Sequence, residues 1–228
     1  MMRILRITLV VGLVCAGAAG AQQVGNFCVA DFVQPANCTA NDVRFEAFTP
    51  VAVIEDCVSG TPGEAEMIFD ALISAFGSPD RYDIAGFISL DEDLAIDGDN
   101  CLHDYLAPPL TESPTYGDDN GDGIPDIKNG PWWDGDNGTV DMCGDMETNT
   151  QVIKTLQQVR FLCVDRNMNG EADISACASW GNNQSNGGGE VCVTINDAFP
   201  GTPSKCSCTI LDVGIPVPVE LESFTIER

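Results

Sequence analysis

Basic residues are scarce in this 228-residue sequence. Ten Lys and Arg stand against 35 Asp and Glu, which gives a formal net charge of −25. Such a surface repels phosphate groups, so nucleic acids and anionic membranes are poor partners. Many of the carboxylates lie two residues apart in loops rich in Gly and Asn, where their mutual repulsion calls for a cation.

Histidine and the common catalytic motifs are also lacking. His103 is the only histidine, and neither G-x-S-x-G nor H-E-x-x-H occurs. This argues against a catalytic triad or a zinc hydrolase. Because a glycosidase carboxylate pair follows no local spacing rule, the abundant acids leave that activity open. Because the missing catalytic motifs outweigh the abundance of acids, we predict that the protein is not an enzyme.

Long apolar stretches are absent after the first 21 residues, so no membrane span is predicted. Arg3 and Arg6 precede an apolar run over 7–16, and small residues fill 17–21. This is typical of a secretory signal peptide cleaved after Ala21. Cleavage removes two of ten basic residues and no acidic one, which leaves 8 − 35 = −27. We expect a secreted, extracellular protein that is either released or associated with the cell surface.

Cysteine, in contrast, is abundant. Eleven are present, and removal of Cys15 with the signal peptide leaves ten. An even number in an exported chain predicts up to five disulfides, with the pairing left open. A zinc or iron–sulfur site is disfavoured because there is no C-x-x-C pair. Cys206 and Cys208 are too close along a strand to bridge to each other.

The pattern of apolar residues indicates an all-β fold. We predict an Ig-like or related β-sandwich over 22–228 as a single secreted domain, with long loops stabilised by calcium and disulfides. A helix is the alternative at 64–76, where Glu, Ala, Met and Leu are frequent. The region 91–148 is predicted to be dominated by loops. Strands are predicted at 42–56, 64–76, 82–90, 150–164, 190–196, 206–213 and 217–226.

Two loops carry the spacing of a calcium site. Residues 118–126 read DDNGDGIPD, with oxygen-bearing side chains at alternate positions and a glycine at the turn. Residues 165–173 read DRNMNGEAD and repeat the pattern with one charge fewer. Calcium tolerates such an oxygen cage better than magnesium does. The predicted metal ligands are Asp118, Asn120, Asp122, Ile124, Asp126, Asp165, Asn167, Asn169, Glu171 and Asp173.

Neither loop is an EF-hand, since helical flanks and a bidentate acid at the twelfth position are missing. The first loop resembles the calcium loops of thrombospondin type 3 repeats, which rely on metal and disulfides for their order. Weaker acidic clusters lie at 97–100, with Asp91 and Asp93 upstream, and at 134–138, with Asp141 downstream. Each could complete a site from a distant loop, although such sequences are more often plain turns.

Adjacent aromatic residues, Trp132 and Trp133, raise a second possibility. Two rings beside a calcium loop could stack on sugars, although such a pair more often splits between the core and a loop. The alternative function is therefore a secreted carbohydrate-binding or carbohydrate-active protein. Its partner would be a surface polysaccharide.

Several phrases together resemble a group of uncharacterised, cysteine-rich exported bacterial proteins that serve as cell-surface modules. The resemblance covers most of 37–217, and it implies a surface or matrix module without bringing a known activity. The phrases are NCTANDVR at 37–44, RYDI at 81–84, CGD at 143–145, CASW at 177–180 and PGTPSKCSC at 200–208.

The last segment, 217–226, has strong β character, with Val, Leu, Phe and Ile among its residues. Such a strand closes its own sandwich or adds to the edge of a neighbouring molecule, which would let the protein assemble with itself into a filament or matrix. The sequence thus predicts a calcium-stabilised extracellular structural or interaction protein.

Overall fold

The fold is seen in a computed structural model. Among the described residues no helix is long and apolar enough to cross a membrane. The only helical element described is a single 3₁₀ turn, Val29–Asp31. The structure describes residues 23–25, 28–32, 37–57, 63–78, 80–105, 115–117, 126–129, 132–134, 144–181 and 205–218.

The described residues form twelve strands in two antiparallel sheets. Nine strands make the larger sheet, in which β4 pairs with β5, β9 and β11, and β12 pairs with β11. The smaller sheet has the order β10-β3-β2. The strands are β1 (Gln23–Gly25), β2 (Val43–Glu55), β3 (Glu64–Ala75), β4 (Arg81–Ser89), β5 (Cys101–Tyr105), β6 (Thr115–Gly117), β7 (Asp126–Asn129), β8 (Trp132–Asp134), β9 (Gly144–Met146), β10 (Gln151–Leu162), β11 (Glu171–Gly181) and β12 (Lys205–Pro216).

Alternation along β3 explains why the smaller sheet packs on the larger one. Ala65, Met67, Phe69, Ala71 and Ile73 are completely buried, and the residues between them are more exposed. Because successive side chains of a strand point to opposite faces, one face of β3 is apolar and faces the core. This strand is the centre of its sheet, so its alternation places the core between the two sheets.

β4 and β11 are buried along nearly their whole length, as expected for central strands of the larger sheet. Their inward side chains include Ile84 and Trp180, which join the main core with Phe69 and Phe161. A second, smaller cluster surrounds Phe87 and several cysteines on the other side. The larger sheet is therefore covered on both faces at its centre.

Among the described residues, four disulfides tie the strands and loops together: Cys28–Cys101, Cys38–Cys206, Cys57–Cys163 and Cys177–Cys208. Cys206 and Cys208 have different partners, as expected from their spacing. The last bridge joins directly opposed residues of β11 and β12. Cys38–Cys206 closes the longest loop, with a sequence separation of 168.

The predicted all-β sandwich is confirmed, and the helix considered for 64–76 is wrong because that segment is β3. The predicted strand at 206–213 is confirmed and extends to Pro216. Within the region 91–148, predicted to be dominated by loops, the described residues include five short strands, β5 to β9. These strands form because their backbones hydrogen-bond to neighbouring strands, and local composition does not reveal such pairing. The strand predicted at 190–196 lies outside the described residues, as does the strand predicted at 217–226 except for Val217 and Pro218, which follow the end of β12.

Candidate metal-binding loops

The second predicted calcium loop connects β10 to β11. Its ends are held together because the backbone N–H of Asp173 donates to the carbonyl of Val164 at 2.7 Å. Strands flank the loop on both sides, which agrees with the exclusion of an EF-hand. The segment is thus a closed turn at one end of the sandwich.

Side-chain oxygens from the first half of this loop turn back onto its own backbone. The carboxylate of Asp165 accepts hydrogen bonds from the N–H groups of Asn169 and Gly170, at 3.1 and 2.9 Å. Asn167 Oδ1 accepts from Asn169 N–H at 3.0 Å, and Asn169 Oδ1 accepts from Glu171 N–H at 2.8 Å. Three of the predicted ligands therefore line the concave side of one turn.

Gly170 permits the turn by its conformation. Its φ is +91°, and a Cβ placed there would meet no atom within 4 Å. Glycine is therefore favoured here by the left-handed backbone conformation, and not because a side chain would lack space. Met168, at φ 61°, is 90% exposed at the tip.

Asp173 closes the loop from the buried side. Its Oδ2 accepts from the N–H groups of Arg166 and Asn167, and its side chain is almost completely buried. Burial raises the pKa of Asp173, and a hydrogen bond with Asp212 raises it further. The hydrogen bonds from Asp173 and Asn167 lower the pKa of Asp212. Two carboxyl groups therefore compete for one proton or one cation at this position.

Arg166 links this loop to the segment that follows β4. Its Nη2 donates to the backbone carbonyls of Asp91, Glu92 and Asp93, at 3.2, 3.0 and 3.1 Å. Its Nη1 donates to the carbonyl of Asp173 at 2.9 Å. One guanidinium thus fixes two acidic segments side by side.

The segment held by Arg166 carries the weaker acidic cluster predicted upstream of 97–100. Carboxylate oxygens of Asp91, Asp93 and Asp99 lie within 4.8 Å of one another. Ser89 Oγ donates to the carbonyl of Asp93 at 2.7 Å and so shapes the turn. At Gly98 a Cβ would lie 2.9 Å from the carbonyl oxygen of Leu94, so the tight turn excludes any larger residue.

Of the first predicted loop, only Asp126 lies within the described residues, as the first residue of β7. It pairs with Gly117 of β6, and the two strands are antiparallel. Asp118, Asn120, Asp122 and Ile124 lie outside the described residues. In the cluster at 134–138, only Asp134 is described, as the last residue of β8.

Trp132 and Trp133 belong to a strand, although they were predicted to lie in a loop. In β8 they pair with β7 and with β9, Trp132 opposite Met146 and Trp133 opposite Asp145. Their backbone is therefore part of the larger sheet.

His103 is in no position to act as a surface base. It is 1% exposed within β5, and its ring centroid lies 5.0 Å from that of Phe87. Burial lowers its pKa to about 4. The imidazole is therefore neutral at physiological pH and part of the interior.

The five phrases that carry the resemblance form two groups in space. Thr39 bridges Ser207, and Cys177 lies opposite Cys208, which joins the phrases at 37–44, 177–180 and 200–208. In addition, the Asp83 N–H donates to Asp145 Oδ1 at 2.9 Å and joins 81–84 to 143–145. These residues build the framework of the larger sheet.

Sequence reasoning missed two residues of this acidic end. Asp212 lies opposite Asp173 only because β12 pairs with β11 in this register. Arg166 is the second residue of the loop 165–173, a position at which the calcium-loop pattern has no ligand. A basic residue inside an acidic loop was the available signal for Arg166, whereas no local signal marked Asp212.

The chain was compared with family models, curated proteins and solved structures, and none of them matches.

Proposed function

We propose that this chain is a secreted, non-catalytic structural or interaction module of the cell surface or extracellular matrix, stabilised by calcium. One observation carries the proposal: the loop 165–173 and the cluster of Asp91, Asp93 and Asp99 are fixed side by side by Arg166. This end of the sandwich concentrates carboxylate and amide oxygens, the ligands that calcium prefers.

The donor set fits calcium for a physical reason. Asp165, Asn167 and Asn169 present oxygens on the concave side of one turn, and Asp173 with Asp212 adds two carboxyl groups beside it. A divalent cation would offset the repulsion between these groups, and flexible oxygen coordination suits calcium more than magnesium. The affinity expected of an extracellular module is on the order of micromolar to millimolar.

Extracellular placement is supported by the disulfides. Such bonds persist in oxidising compartments, and the four described here join distant parts of the chain. With the predicted signal peptide they support export. The proposed partner is the protein itself, in a filament or matrix, or a surface polysaccharide.

Thermal unfolding of residues 22–228 with calcium and with chelator tests the proposal. We expect calcium to raise Tm and to protect the amides of 165–173 from hydrogen exchange. Asp165→Asn should reduce the response, whereas Asp70→Asn, on β3 away from this end, should leave it intact. Superimposable melts of the native chain in calcium and chelator would refute calcium stabilisation.

A glycan array combined with an activity screen on polysaccharides distinguishes the module from the carbohydrate-active alternative. Selective glycan binding that is abolished by Trp132→Ala or Trp133→Ala would favour the alternative. Hydrolysis of any polysaccharide would contradict the non-catalytic proposal.

A further inference from the structure

The outer face of the larger sheet, which points away from the smaller sheet, carries a row of opposed residues. Across β5, β4, β11 and β12 the row reads His103, Phe87, Cys177 and Cys208, each directly opposite the next. Opposed residues of antiparallel strands project to the same face, and Phe87 and Cys177 belong to the second cluster. His103, Phe87 and Cys177 are at most 1% exposed, so other parts of the chain cover this face.

Two pieces of chain between β1 and β2 supply part of the cover. We call residues 28–32 and 37–39 together the strap. Val29 is completely buried within the second cluster, and Phe32 packs against that cluster with its ring centroid 5.9 Å from that of Phe87. Because its apolar residues join the second cluster and not the main core, the strap lies on the outer face.

A disulfide anchors each piece of the strap to the larger sheet. Cys28 is joined to Cys101 at the beginning of β5, and Cys38 is joined to Cys206 near the beginning of β12. These two strands lie at the two ends of the row, with β4 and β11 between them. The bridges therefore hold the strap on both sides of the row.

Non-covalent contacts beside the bridges are modest. The Val29 N–H donates to the carbonyl of Ala95 at 3.1 Å, and Thr39 forms an isolated β-bridge with Ser207. Fixing the backbone of the eight strap residues costs more conformational entropy than such hydrogen bonds and the burial of two large apolar side chains return. The covalent anchors offset this difference because they restrict the strap before it packs.

The cohesion of the two sheets does not require the strap. Among the described residues, the main core includes none from the strap, and Cys57–Cys163 joins the segments that follow β2 and β10. β1 pairs with β5 and β2 pairs with β3, so a detached strap stays tethered at both ends. We propose that the strap is a redox-sensitive cover: reduction of its two bridges detaches it, leaves both sheets folded and uncovers Phe87 and His103.

A dithiol is the class of reductant that would open the strap. Each bridge takes up two electrons and two protons and gives two protein thiols, while the dithiol becomes a cyclic disulfide. Cys38 is partly exposed, whereas Cys28 and Cys101 are completely buried. Of the two bridges, Cys38–Cys206 is therefore reduced first, and Cys28–Cys101 follows once the strap has loosened. This device does not depend on calcium.

Hydrogen exchange on residues 22–228 tests the proposal. In a variant that carries Cys→Ala at 28, 38, 101 and 206, the amides of 29–32 and 39–40 should exchange at least about ten-fold faster than in the native chain. Amides of β3 and β11 should stay protected. The matched control, Cys57→Ala with Cys163→Ala, removes a bridge outside the strap and should leave the strap amides slow.

Two outcomes would overturn the proposal. Strap amides that stay slow in the four-cysteine variant would show that non-covalent contacts hold the strap. Loss of protection in β3 and β11 together with the strap would show that the strap is not a separate unit. The native chain in graded dithiothreitol gives the same comparison without substitutions, with alkylation and mass spectrometry to identify the opened bridge.

The only histidine of the chain reports whether the face is uncovered. Diethyl pyrocarbonate should leave His103 unmodified in the native chain and should modify it in the four-cysteine variant, as located by mass spectrometry. In the Cys57→Ala and Cys163→Ala control, His103 should stay unmodified. If His103 is equally unreactive in the native and four-cysteine chains, the strap does not cover this face and the proposal fails.

Discussion

Asp173 and Asp212 lie directly opposite each other on β11 and β12, and the side-chain amide of Asn167 donates hydrogen bonds to both carboxyl groups. Like charges in opposed positions of antiparallel strands destabilise the pair. Burial raises the pKa of Asp173, so this group is the one that retains a proton more readily. A cation at this pair would therefore offset the repulsion between the two carboxyl groups.

Asp212→Asn should stabilise the protein in chelator and reduce the gain on adding calcium. The substitution removes the repulsion at Asp173, and it also removes a charge that would attract the cation. Thermal melts in both conditions measure the two effects. Asp70→Asn is the matched control, because its cross-strand partner is the uncharged Thr155. A larger calcium response in Asp212→Asn than in the native chain would contradict the prediction.

Arg166→Ala should destabilise the protein and loosen the segment 91–99. The guanidinium donates to four backbone carbonyls, and its loss leaves the two partly buried ones, of Asp91 and Asp173, unsatisfied, at a cost of about 1–3 kcal/mol. Urea unfolding measures the loss.

Arg160→Ala is the control for this prediction. Arg160 is 54% exposed and pairs with Glu55, Glu64 and Glu66 on the surface, where solvent screens ion pairs, so its removal should matter much less. Equal effects of the two substitutions would argue against a special role for Arg166.

The single histidine should make the protein less stable as the pH falls from about 6.5 to about 4. Burial lowers the folded-state pKa of His103 to about 4, whereas the unfolded chain takes up the proton near its ordinary pKa. The unfolded state therefore binds more protons in this window, and the loss reaches about 3 kcal/mol at its lower end. Well above pH 6.5 the histidine is unprotonated in both states and does not affect stability.

Urea unfolding of the native chain and of His103→Leu across this range isolates that contribution. The difference in stability between the two chains should change with pH only below about 6.5. A constant difference from pH 7.5 to 4.5 would show that His103 does not titrate differently on folding.

Thiol titration of the denatured, unreduced protein should find essentially no free cysteine. Eight cysteines are joined in the four described disulfides. Cys143 and Cys192 lie outside the described residues, and the even count predicts that they pair with each other. Peptide mapping without reduction would identify that link. Two reactive thiols per chain would contradict the prediction.

The loss of stability on removing a disulfide should increase with the length of the loop that the disulfide closes. In the chain-entropy model, loss of Cys38–Cys206 should cost about 1.5 kcal/mol more than loss of Cys177–Cys208, since the sequence separations are 168 and 31. Urea unfolding of the two double Cys→Ala variants measures the difference. A greater cost for Cys177–Cys208 would show that native-state contacts outweigh the loop entropy.

Local sequence determined the parts of this protein that depend on neighbouring residues. Alternation along 64–76 predicted the strand and its buried face, although good helix formers left a helix open. The D-x-N-x-N-G pattern predicted the turn at 165–170, because short polar side chains bond to N–H groups two to five residues ahead and Gly170 takes the left-handed conformation. These features need no distant partner.

Tertiary structure alone decided which distant residues meet. The pairing of Asp173 with Asp212 follows from the register of β11 and β12, and the placement of Asp91 beside the loop 165–173 follows from the reach of Arg166. The pairing of cysteines in the four described disulfides likewise depends on contacts between residues far apart in the chain. The same is true of the short strands within 91–148. A spacing pattern describes only residues on one turn or strand, whereas strand register and packing arise when the whole sheet assembles.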